Sequence, residues 1–146
     1  METKTLAILL FLFVASAWGK TYERCELARE LKNVHGVTSM RELATWVCIA
    51  YHESRYKTDA VNRQNPDGSA DYGIFQINNR YWCSPPGTGC KITCQSLLTD
   101  SIKEDFKCSK KVFAEHQKIS GDGFTAWTTY KYCKGSAADK FIEGCF

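Results

Sequence analysis

Histidine is scarce in this chain, with three residues in 146, at positions 35, 52 and 116, and none of the spacings by which histidines share a metal. The position four after His52 is Tyr56, which excludes the two-histidine helix of zinc proteases. A run of membrane-spanning length is also missing. The longest apolar stretch, Leu6 to Ala15, falls short of the ~18 residues a span requires. Neither sign of charge dominates: 19 Lys and Arg against 16 Asp and Glu give a net charge of +3, and the basic residues are scattered along the sequence. That balance predicts no nucleic-acid partner and no stable membrane association. Prolines number three, and no linker, repeat or low-complexity tract divides the chain.

What is present begins with a leader. Lys4, the apolar run, and then Ser16, Ala17, Trp18 and Gly19 read as a secretory signal over residues 1–19, cut after Gly19. The remaining residues, 20–146, suffice for one compact domain with a real core. All eight cysteines lie in that part, at 25, 48, 83, 90, 94, 108, 133 and 145. An even count in a secreted, extracellular chain predicts four disulfides, with about 105 pairings open on spacing alone. Zinc is disfavoured, because Cys90 and Cys94 have no matching second pair.

Periodicity gives the elements. Leu27, Ala28, Leu31 and Val34 recur at helical spacing between Cys25 and His35, and Gly36 supplies a stop. Ser39 with Glu42 reads as a capping box that opens a second helix, running to about Ser54. Asn65-Pro66-Asp67-Gly68 is a turn signal, and the aromatic and β-branched residues from Tyr72 to Trp82 read as strand and hairpin. A loop-rich segment with four cysteines follows. Ser101 and Glu104 read as another capping box, opening a third helix with Ile102, Phe106, Val112 and Phe113, ended by Gly121 and Gly123. Short helical pieces complete an α+β domain.

Two carboxylates then stand out. Glu53 lies three, four and seven residues after Ala50, Ile49 and Trp46, which places it on an apolar stripe near a helix C-terminus. Burial and the helix dipole both favour its protonated form there. Asp71 sits in polar surroundings, with Asn62, Ser69, Gln76 and Asn78 available to hydrogen-bond an anion. One protonated acid and one ionised carboxylate are the ingredients of glycoside hydrolysis.

A resemblance carries the reading further. The stretches KTYERCELARELK, TWVCIAYHES, NRQNPDGSADYGIFQINNRYWC, CKITCQSLL and TAWTTYKYCKG, with the closing GC, resemble the pattern of c-type lysozymes in order and over essentially all of residues 20–146. The resemblance implies a two-lobed, mainly helical α+β fold with a small antiparallel sheet. It also implies the pairings Cys25 with Cys145, Cys48 with Cys133, Cys83 with Cys94, and Cys90 with Cys108. The family's general acid falls on Glu53, its second carboxylate on Asp71, and the tryptophan beside its acid on Trp127. An acid of raised pKa against a tryptophan, paired with an ionised aspartate, is the family's own type case. Asn62, Gln76, Asn78, Trp82 and the main chain of Ala126 match sugar-binding positions, and Tyr81 stands where many relatives have tryptophan.

Several positions depart from the family pattern. One extra residue lies in the turn from Gln64 to Pro66, between the two carboxylates. Ser120, with Asp122 nearby, replaces an acidic residue at the far end of the cleft, which predicts altered affinity for outer sugars. Ser101 stands where an acidic or amide residue is usual, and Thr99 and Ser101 leave only Asp100, Glu104 and Asp105 in the loop that holds calcium in some relatives. No structural calcium and no cofactor are expected. The implied activity is hydrolysis of peptidoglycan and related amino-sugar oligomers by a monomer, with a non-catalytic lactalbumin-like binding module as the alternative.

Overall fold

The computed structural model describes residues 19–146, so the leader assigned to residues 1–19 lies, apart from Gly19, outside the described residues. Three α-helices carry the fold: α1 (Arg24–Asn33), α2 (Met40–Ser54) and α3 (Lys103–Ser120). Ser39 caps α2, its hydroxyl accepting from the Glu42 N–H at 3.3 Å. The glutamate half of the expected box is used elsewhere, because Glu42 Oε1 accepts from the Trp46 indole at 3.2 Å. At the start of α3 the expected box does not form. Ile102 occupies the N-cap, and Ser101 accepts from the Lys103 N–H at 3.3 Å one residue outside it. Gly121, at φ 80°, ends that helix in the left-handed conformation glycine tolerates.

Instead of one apolar stripe, α2 presents a nearly continuous buried surface, since every residue from Leu43 to Ala50 is buried. Trp46 is its centre. Phe75, Phe106, Phe113, Phe124 and Trp127 surround the indole at centroid distances of 4.9 to 6.0 Å, mostly edge to face. Residues from the β segment, α3 and the C-terminal part thus meet on one helix.

The β segment is smaller than the strand-like sequence predicts. Strands β1 (Val61–Asn62), β2 (Asp71–Tyr72) and β3 (Ile77–Asn78) form an antiparallel sheet of two-residue strands. Two further strands, β4 (Cys83–Ser84) and β5 (Ile92–Thr93), pair in parallel, which the sequence did not announce. The C-terminal pieces are 3-10 turns over Gly123–Ala126, Thr128–Tyr132 and Gly135–Phe141. All four disulfides join the pairs that the resemblance implied. Two span 120 and 85 residues and tie α1 and α2 to the C-terminal segment; the other two brace the loop-rich β4–β5 region and fix it to α3. Among the described residues no helix is long and apolar enough to cross a membrane.

Candidate active site

Glu53 and Asp71 line the same cleft, of about 570 Å³, together with Asn65, Gln76, Asn78, Trp82, Ala126 and Trp127. One wall comes from the last turn of α2 and the 3-10 segments, the other from β2, β3 and the turn before them.

Glu53 is held by burial. Loss of hydration raises its pKa above the ordinary glutamate range, and the nearby Asp71 charge pushes it in the same direction. Thr129 opposes this by donating its hydroxyl to Glu53 Oε1 at 2.7 Å. Trp127 is almost fully buried in the same wall. Its indole N–H donates to the Phe75 carbonyl at 2.9 Å and its ring packs on Trp46 at 5.1 Å, so the apolar face is fixed from behind. His52, one residue before the acid, points elsewhere and packs between Tyr51, Tyr132 and Phe141; burial lowers its pKa, with Arg55 and Lys140 adding to the effect.

Asp71 is held by amides. Asn65 donates to its Oδ2 at 2.9 Å and Asn78 to its Oδ1 at 2.8 Å. The same two Nδ2 atoms also reach Ser69 Oγ, at 3.2 and 2.9 Å, and the Ser69 hydroxyl donates to Asp67 Oδ1 at 2.6 Å. Both amides are thus fixed with their donors aimed at the carboxylate. A carboxylate that accepts on both oxygens has the pattern of the ionised acceptor.

Not every expected residue takes its expected place. Asn62 is the ladder partner of Asp71 in the β1–β2 pair, but its side chain does not bond the carboxylate; it donates to Asn65 Oδ1 at 3.2 Å and accepts from the Gln64 N–H, supporting the turn from which Asn65 reaches over. Gln76 lines the cleft, but its amide bonds the Ala60 and Gly73 carbonyls and braces the β2–β3 turn. Asn78, Trp82, Ala126 and Trp127 stand in the cleft wall. Tyr81 does not line it and is 70% exposed beside Trp82. Ser120 and Asp122 are tied to each other and to the turn after α3, away from the cleft lining.

Three contributors escaped the sequence reading. Asn65 looked like turn chemistry only, Thr129 lies 76 residues from the acid it bonds, and Val112 read only as a position of the third helix yet lines the cleft. Asn65 has the clearest signal in retrospect: it opens the Asn65-Pro66-Asp67-Gly68 turn, and that turn is built against Asp71. As for metals, the cluster of ligand types Cys48, His52 and Cys133 has both sulfurs committed to a disulfide.

A partly desolvated acid facing an amide-held carboxylate across a groove is the arrangement of an enzyme that cleaves glycosidic bonds. Comparison with known proteins narrows that class. Residues 20–145 match the C-type lysozyme/alpha-lactalbumin family, and the chain belongs to it. Lysozyme E of Drosophila melanogaster is 45% identical, with 98% of this chain and 99% of that protein covered. Lysozyme 2 of Lucilia sericata is 47% identical, with 97% of each covered. Among solved structures, a lysozyme from Litopenaeus vannamei matches with a TM-score of 0.79 at 38% identity, covering 87% of this chain and 98% of that one. Relatives this similar over nearly the whole chain place the protein with the glycosidases of the family, on the lysozyme side.

Proposed function

We propose that this protein is a secreted lysozyme that hydrolyses the β-1,4 bond between N-acetylmuramic acid and N-acetylglucosamine in bacterial peptidoglycan, with retention of anomeric configuration. The observation that carries the reading is the contrast within one cleft: Glu53 with a raised pKa on one wall, Asp71 accepting from two amides on the other.

The roles follow from that contrast. Glu53 donates its proton to the glycosidic oxygen as the bond to the sugar C1 breaks, and the leaving chain departs as an alcohol. Positive charge develops on the ring, and an Asp71 oxygen stabilises it and bonds to C1. Glu53, now a carboxylate, takes a proton from water as that water attacks C1; Asp71 is released and Glu53 is again protonated. Asn65 and Asn78 keep Asp71 pointed at the ring throughout. Proton NMR of the first-formed reducing ends tests both levels of the proposal. Release of the β-anomer is expected; first appearance of the α-anomer contradicts retention, and no new reducing ends on peptidoglycan contradicts the activity itself.

Thr129 draws the alkaline limit of this chemistry down from where burial alone would put it. Its hydroxyl stabilises the ionised form of Glu53, so Thr129→Val raises the pKa further and keeps the acid protonated to higher pH. The alkaline limb of the pH–rate profile is expected to move to higher pH. An unmoved limb contradicts the role given to Thr129.

A further inference from the structure

The lysines of α3 read as scattered in the sequence, but the helix gathers them. At about 100° per residue, Lys103, Lys107, Lys110, Lys111 and Lys118 fall within an arc of about 100° along roughly 22 Å of helix. All five are exposed, and none forms an ion pair among the described residues. Lys110 lies over the Phe106 ring at 5.3 Å, and Lys111 donates to the Gly89 carbonyl, so two of the side chains are held against the surface. Val112, which lines the catalytic cleft, points about 150° away from the centre of the arc. The lysine face and the cleft therefore lie on opposite sides of one helix.

Glu104 and Glu115 border the arc, about 20° and 40° beyond Lys111, but neither pairs with a lysine, and five like charges in a row against two flanking acids leave a positive strip that complements a linear polyanion. The face carries no aromatic residue, only Ala114 besides the lysines, and so lacks the platforms on which nucleic-acid bases stack. The helix also has no continuous apolar side to offer a bilayer: Phe106, Cys108 and Val112 are buried in the core, and Ile119 is exposed alone at its end. A phosphate chain without bases fits best.

We propose that the lysine face of α3 docks the polyol-phosphate polymer borne by bacterial walls, holding the enzyme on its insoluble substrate while the cleft on the other side engages glycan. The inference rests on the peptidoglycan reading above. Cosedimentation with purified walls tests it, using walls that retain the phosphate polymer and the same walls stripped of it by hydrofluoric acid. The variants are the fivefold lysine-to-glutamine replacement and Lys103→Gln/Lys107→Gln/Lys118→Gln, which spares the two lysines with contacts of their own.

Both variants are expected to bind polymer-bearing walls at least tenfold more weakly than the parent at low salt, and stripped walls equally well. The parent's log affinity should fall with log salt at a slope of about −3.5 if all five ammonium groups engage phosphates, and the triple variant's at about −1.4. Equal binding of parent and variants to polymer-bearing walls overturns the proposal. So does tighter parent binding to single-stranded DNA or to anionic lipid vesicles than to the isolated polymer. Cleavage of a soluble N-acetylglucosamine oligomer should be unchanged in the triple variant. If the parent fails to cleave that oligomer, the glycosidase reading fails, while the wall-binding comparison still reports on the lysine face.

Discussion

Glu53→Gln is expected to lower turnover on peptidoglycan by about 10²- to 10⁴-fold, the range over which a positioned acid contributes. Glutamine keeps the shape and can still accept from Thr129, but it has no proton to give to the leaving oxygen. Because α2 is anchored along its length by buried residues, the substitution at its last turn should leave the fold and substrate affinity nearly intact. The loss then appears in kcat rather than in KM. Turbidity loss of cell-wall suspensions together with binding of a short amino-sugar oligomer measures both. Clearance at the parental rate would remove Glu53 from the role of acid.

The second large effect concerns stability. Asp105 is 1% exposed, and neither carboxylate oxygen makes a well-formed hydrogen bond. It sits under the β2–β3 turn, where a β-carbon added to Gly73 would lie 2.3 Å from Asp105 Oδ2 and 2.4 Å from the Leu97 carbonyl. Gly73 is required there both by that close approach and by its φ of 80°. Burial raises the Asp105 pKa to about 8, and the N–H groups of Asp105 and Ile74 offset only part of that cost. The unfolded chain releases the same proton near pH ~3.9.

Between those values the folded protein keeps a proton that the unfolded chain has lost. Stability from this group is therefore complete below the unfolded pKa and drains away as pH rises towards 8, at up to about 1.4 kcal/mol per pH unit. Asp105→Asn has no proton to lose, so its melting temperature should stay flat across a range where the parent's falls by many degrees. Thermal melts of both proteins from pH 4 to 9 compare them, and parallel curves would show that Asp105 does not titrate as described.

The sequence marked the helices through strong local signals. Ser39 before an apolar run, Gly36 and Gly121 at chain reversals, and the spacing of Leu27 and Leu31 each act within a turn or two. Glu53 was legible for the same reason, because helical periodicity alone places it beside Ile49 and Ala50. The strands were less legible. Side-chain amides, and not a long ladder, hold the β segment together, so aromatic and β-branched residues promised more strand than two-residue pairings deliver. Thr129 was hidden by distance along the chain, and Asn65 by its double use as turn residue and donor. Asp105 read only as one of three acids left in a loop that holds calcium in some relatives, and its burial shows only where Gly73 and Leu97 close over it. The disulfide pairing came from family resemblance, since cysteine spacing alone leaves it open.

The proposed chemistry depends on burial, helped by the Asp71 charge, holding the Glu53 pKa above the ordinary glutamate range. A carboxyl-carbon NMR titration of Glu53, in the parent and in Asp71→Asn, measures it directly. The midpoint is expected above the ordinary glutamate value of about 4.3 and should move down when the Asp71 charge is removed. A midpoint at or below that value in the parent, or one indifferent to Asp71, would contradict it.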